Sequence, residues 1–156
     1  MLAWLACTAC KSPVQEAPRS QPEAGPPRLE IVKLGASAEE VTSIVKGELV
    51  RARSDGRKLL IYVGAPWCEP CTRFHDAALA GQLDTVFPGV RVLEFDHDRD
   101  ADRLERAGCV SELIPLFARP EPDGRCSPTA RIQGSIKGDG AVSEIRPRLL
   151  GLLSAP

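Results

Sequence analysis

Apolar and polar positions divide the chain between Leu29 and Leu153 into segments of two periods. Leu29 to Leu34 alternates, as a strand at a sheet edge does. Ser37 with Glu40 has the form of a capping box, and Val41, Ile44, Val45 and Leu49 then share one helical face until Asp55-Gly56 ends it. The continuous apolar run Leu59-Leu60-Ile61-Tyr62-Val63 predicts a central strand, followed by a helix to about Ala80. Val90 to Phe95 predicts the next strand, and Asp100 to Ala107 a short helix. Pro115 to Arg119 and Ala130 to Ser135 predict a β-hairpin around Asp123-Gly124. Glu144 to Leu153 closes the chain as an amphipathic helix with Pro147 in its first turn, where a missing N–H is tolerated. Strands and helices in this order place the chain in the α/β class.

The first 28 residues are different material. Met1 to Ala9 is apolar but too short to span a bilayer. Lys11 to Arg28 holds five prolines and no aromatic residue, so it reads as an extended, disordered linker. An apolar segment, a small residue before a cysteine and a Pro-rich tether resemble a bacterial lipoprotein leader, with Cys10 as the lipidated residue. Cys7 stands where such leaders usually have Leu, and no Lys or Arg precedes the apolar run, which points to a start upstream of Met1. Cys7-Thr8-Ala9-Cys10 also has the spacing of a redox pair, but nothing folded surrounds it. The expected organisation is a leader at 1–10, a linker at 11–28 and one domain at 29–156, long enough for one core and too short for two. A net charge of −1 with both signs mixed argues against a nucleic-acid surface. The run from Glu94 to Arg106 alternates in sign, as a solvated turn and helix face does.

The chemistry sits at Trp67-Cys68-Glu69-Pro70-Cys71, directly after the central apolar run. A strand that delivers C-x-x-C to the first turn of a helix makes a redox site, because unpaired N–H groups and the positive dipole end lower the pKa of the leading thiol. Pro70 fits that first turn, since its missing N–H would have no intrahelical partner. Cys68 is then the nucleophile and Cys71 the resolving thiol of a reversible disulfide. Half of a zinc site and a structural disulfide are the other readings of the pair. Zinc needs four ligands, and neither a second C-x-x-C nor an H-x3-5-H follows in the folded part.

From Leu29 to Leu153 the chain resembles the thioredoxin family, most strongly at Ala65 to Cys71 and at Ile114-Pro115. The resemblance implies a thioredoxin fold: a central mixed β-sheet flanked by helices, closed by an antiparallel hairpin. It makes Pro115, 44 positions after Cys71, the cis-proline that faces the active disulfide and leaves a backbone edge free for a substrate strand. Trp67, Glu69, Pro70, Ile114 and Pro115 are then the residues that bind substrate or support the site. Two departures stand out. The family's buried aspartate is replaced by Tyr62, and Glu94 occupies the position of the lysine paired with it. A buried carboxyl relocated to Glu94 would suit proton exchange with Cys71, whereas a strand twisting Glu94 into solvent would leave Tyr62 only to pack. Glu69, a carboxylate beside the nucleophile, opposes the helix dipole and tilts the couple towards the disulfide. C-E-P-C also occurs in membrane-tethered thioredoxin-like reductants, but the 44-residue interval has no room for their extra segment, so their clients do not carry over.

Cys109 reads as a buried thiol, and its pairing with Cys126 is disfavoured because the predicted hairpin puts them at its opposite ends. His75 and His97 read as surface residues rather than ligands. The sequence therefore points to an exported thiol:disulfide oxidoreductase, tethered to a bacterial membrane through a lipid on Cys10 and reducing protein disulfides. Its cofactor is the Cys68–Cys71 disulfide itself, with no metal. Its partners are disulfide-containing clients and an upstream thiol reductant. Net oxidation or isomerisation of secreted proteins is the alternative within that class, and a metallochaperone-like binding module the alternative outside it.

Overall fold

A computed structural model describes residues 27–154. The leader at 1–10, with Cys10, and the linker up to residue 26 lie outside the described residues. The apolar run forms β2 (Lys58–Gly64), in which every residue after Lys58 is buried. A strand buried on both faces needs this continuous pattern rather than alternation. It lies at the centre of a five-stranded sheet with β3 (Val90–Asp96) parallel on one side and β4 (Leu116–Pro120) antiparallel on the other. Outside these lie β1 (Glu30–Lys33), parallel to β3, and β5 (Cys126–Gln133), antiparallel to β4.

Alternate side chains of β2 enter two cores. Leu60 and Tyr62 meet Phe74 and Ala77 of α2 (Glu69–Leu79) and Ile145 and Leu149 of α4 (Ala141–Ser154). Leu59, Ile61 and Val63 meet Val41 and Val45 of α1 (Val41–Ser54) and Leu104 of α3 (Ala101–Arg106). Helices thus cover both faces of a mixed sheet in β-α-β-α-β-α-β-β-α order, with a cis Ile114–Pro115 bond before β4. This is the thioredoxin fold.

Local differences from the sequence reading have physical causes. Ser37 and Glu40 form no capping box: Ser37 Oγ accepts the Glu39 N–H at 3.0 Å, and Glu40 pairs with Arg106 at 2.9 Å. The second hairpin strand starts at Cys126 rather than Ala130. The strand runs through Pro128 because β5 lies at the edge of the sheet, where a missing N–H costs no ladder bond. The turn needs Gly124, whose φ is 86° and where any side chain would run into the backbone of Thr42. The last helix starts at Ala141, so Pro147 lies inside it rather than in its first turn. That position forfeits a bond to the Ser143 carbonyl, at about 3 kcal/mol. Burial of Ile145, Leu149 and Leu152, about 1.5–3 kcal/mol each, offsets the loss.

Cys109 and Cys126 are joined, contrary to the expectation of a lone buried thiol. The chain turns at Gly108 after α3, and the Cys126 N–H donates to the Ala107 carbonyl at 3.0 Å. The start of β5 is thereby brought against the end of α3, which a hairpin considered by itself does not reveal.

Candidate active site

β2 ends at Gly64, and a turn closed by the Cys68 N–H to the Ala65 carbonyl (3.1 Å) sets Cys68 as the N-cap of α2. Its backbone is extended, and its Sγ accepts the Cys71 N–H at 3.3 Å. Glu69 and Pro70 fill the first turn, where no intrahelical donor is lost. Cys68 and Cys71 form a disulfide with their Cα atoms 5.2 Å apart. In front of it runs a groove of about 300 Å³, lined by Trp67, Cys68, Leu113, Ile114, Ser135 and Lys137. Ile114, the residue before the cis bond, therefore shares a surface with the leading sulfur. Trp67 and Leu113 are 65% and 60% exposed, which gives the groove an apolar rim.

Trp67 is held from outside the motif. Its indole Nε1 donates to Asp98 at 2.6 Å, and His97 lies edge-on to the ring and 2.8 Å from the same carboxylate. The Trp67 bond first, and His97 second, hold the Asp98 carboxyl below its ordinary range. Sequence reasoning assigned Asp98 no part in the site. The signal was there in the charged turn after β3, a strand whose carboxyl end faces the motif.

Glu69 is likewise bound up with neighbours. Its carboxylate accepts from Arg73 Nε at 2.9 Å and from the Gly138 N–H at 3.0 and 3.2 Å. Arg73 first, then the Gly138 N–H, hold the carboxyl below its ordinary range. Arg73 also reaches Asp139 at 3.1 Å, so the start of α2 is clamped twice to the loop between β5 and α4. That loop supplies Ser135 and Lys137 to the groove.

Behind the disulfide lies a second cavity, of about 330 Å³, lined by Lys33, Tyr62, Cys71, His75, Glu94 and Asp96 among others. Tyr62 and Glu94 are directly opposed in the β2–β3 register. Tyr62 is 1% exposed, with its ring against Phe117 (centroids 4.9 Å apart), Phe74 and His75 (5.8 Å each). Its hydroxyl extends over Gly64, where any side chain would collide with it. Burial first, and the Glu94 charge second, raise the phenol well above its ordinary range, so it stays a neutral donor. Glu94 is not turned to solvent, since only 13% of its side chain is exposed. His75 is not a surface residue: it lies one turn after Cys71 on α2, with Nε2 3.1 Å from Glu94 Oε1. The contact is close but out of line for a hydrogen bond, so Nε2 keeps its bonding capacity unspent. Among the described residues, no three His, Cys, Asp or Glu side chains converge to hold a metal ion.

These features define a class: a thioredoxin-fold protein with a C-x-x-C disulfide at a helix N-terminus, between an apolar groove and a polar cavity. No protein-family model matches the sequence, and no curated protein matches it. Among solved structures the chain is similar to a poplar wild-type thioredoxin h, at 15% identity and a TM-score of 0.47, covering 83% of this chain and 99% of that one. The strand order and the register carry the fold.

Proposed function

We propose that this chain is a thiol:disulfide oxidoreductase acting as an exported, membrane-tethered reductant of protein disulfides. The observation that carries the reading is the Cys68–Cys71 disulfide at the start of α2, with Cys68 on the open groove and Cys71 on the polar cavity behind it. In the reduced protein the Cys68 thiolate attacks one sulfur of a client disulfide lying in the groove beside Ile114. One client thiolate leaves and a mixed disulfide forms. Cys71 passes its proton to Glu94, attacks the Cys68 sulfur and releases the second client thiolate, which takes a proton from water. The client gains two electrons and the Cys68–Cys71 bond is restored.

The buried Cys109–Cys126 disulfide supports export, because such bonds persist in oxidising compartments. No helix of the described residues is long and apolar enough to cross a membrane. The tether in this reading is the lipid on Cys10. Net oxidation of clients is the second reading, and the pairing of Glu69 is what leaves it open. The Glu69 charge is taken up by Arg73 and Gly138, which weakens the electrostatic case for a reducing couple.

Two experiments test the proposal. Insulin-disulfide reduction should be lost in Cys68→Ser, while Cys71→Ser should accumulate stable mixed disulfides with clients; equal activity in the two variants would reverse or remove the assigned roles. Expressed behind a full leader, the protein should fractionate with membranes and lose that association in Cys10→Ala. A wild-type protein confined to the cytosol would refute export.

A further inference from the structure

Five buried side-chain polar atoms among the described residues have no hydrogen-bond partner, and three of them line the cavity behind Cys71. They are the Tyr62 hydroxyl, His75 Nε2 and Glu94 Oε2. Buried polar atoms are nearly always paired, so unpaired ones gathered in one place need a chemical or solvent explanation. A cavity of about 330 Å³ has room for several water molecules among them. Cys71 and His75 are four residues apart on α2 and so share the helix face that borders this space.

We propose that His75 and Glu94 act together as the acid–base pair for Cys71, so that the ionisation of His75 gates the step in which Cys71 resolves the mixed disulfide. The inference rests on the reductase reading above and supplies the control of its second step. With His75 neutral, the Glu94 carboxylate is free to take the Cys71 proton across the cavity, and Nε2 can hold it next. The Cys71 thiolate then forms the bond to Cys68 as the bond from Cys68 to the client breaks. With His75 protonated, its positive charge 3.1 Å from Oε1 holds the carboxylate in an ion pair and removes the base. Resolution therefore slows once His75 is protonated.

The other polar groups facing the pair leave this control to His75, and the Arg99 guanidinium is committed to Asp100 and the Leu34 carbonyl. Tyr62 is held neutral and brings no charge to the pair. Lys33 on β1 is 75% exposed and reaches Oε1 only at 4.0 Å. Asp96 is turned to the loop after β3, where its Oδ1 accepts the N–H groups of Asp98 and Arg99 at 3.0 and 2.8 Å.

The test follows the reduced full-length protein mixed with excess 2-hydroxyethyl disulfide, read by tryptophan fluorescence, with Trp67 beside the reacting sulfur, in a stopped flow. Attack by Cys68 depends on disulfide concentration and resolution by Cys71 does not, so the two phases separate. Across about pH 5 to 8, the wild-type resolution rate should fall in acid, and His75→Gln should flatten that dependence. Glu94→Gln should slow resolution about a hundredfold, the lower end of what general acid–base catalysis contributes, and Glu94→Asp should recover part of it. An unchanged pH profile in His75→Gln overturns the gate. A wild-type protein that shows neither phase overturns the reductase reading instead. Should Glu94→Gln fail to fold, the His75→Gln profile decides alone.

Discussion

The two disulfides have the same bond and nearly the same burial, with Cys68 and Cys71 at 5% and 2% exposure and Cys109 and Cys126 at 1% and 4%. Burial therefore does not distinguish a redox site from a staple here. The surroundings do. Cys68–Cys71 caps a helix, borders an open groove and backs onto a cavity with a carboxylate and an imidazole. An attacking thiolate has a way in, the leaving thiolate meets unpaired N–H groups, and a proton has somewhere to go. Cys109–Cys126 sits among Val41, Phe95, Leu104 and Leu116 in the core under α1 and α3. There a thiolate would be desolvated with no partner, so exchange is slow even though the bond is chemically identical.

Removing the second disulfide tests the contrast most heavily. Cys109 and Cys126 are 17 positions apart, and closing a loop of that size stabilises the folded state by about 3 kcal/mol. The double variant Cys109→Ser/Cys126→Ser should lose about that much in urea unfolding while retaining insulin-reductase activity. In the wild type, mild treatment with dithiothreitol followed by alkylation and mass mapping should label Cys68 and Cys71 well before Cys109 and Cys126. Simultaneous labelling, or loss of activity in a folded double variant, would show that the two bonds are not separate in role.

The same contrast marks what could be read from the chain. β2 and the redox pair were legible because a strand buried on both faces and a C-x-x-C at a helix start are local patterns. The β4–β5 hairpin was legible as two short strands around Asp123-Gly124. What escaped depends on contacts far apart in sequence. The Cys109–Cys126 bond requires knowing that the end of α3 meets the hairpin tip. His75 looked like a surface residue because its helix is amphipathic. It is drawn in by Glu94 on a strand that packs beneath α2. Pro147 looked like a first-turn residue because an interior proline costs a helix bond, but a core large enough to carry that cost lets the helix begin at Ala141.

Glu69 gives the smallest expected effect and the finest test of why the first disulfide is reactive. Taken alone in the sequence, its charge opposes the helix dipole beside Cys68 and makes the couple more reducing. In the structure the carboxylate is met by Arg73 at 2.9 Å and by the Gly138 N–H at 3.0 Å, so the cysteine experiences a compensated pair. Glu69→Gln deletes the negative charge but leaves the Arg73 guanidinium nearby, and the couple should become more oxidising. The shift should stay below ~30 mV, which is a tenfold change in equilibrium for two electrons, because the groups are partly exposed and screened by salt. Arg73→Gln should move the potential the other way by a similar amount, since it leaves the carboxylate uncompensated at the start of α2. Equilibration of each protein with glutathione measures both shifts. A change well above 30 mV in Glu69→Gln would mean that its charge acts on the Cys68 sulfur directly, and equal signs in the two variants would mean that clamping the loop, rather than charge, sets the potential.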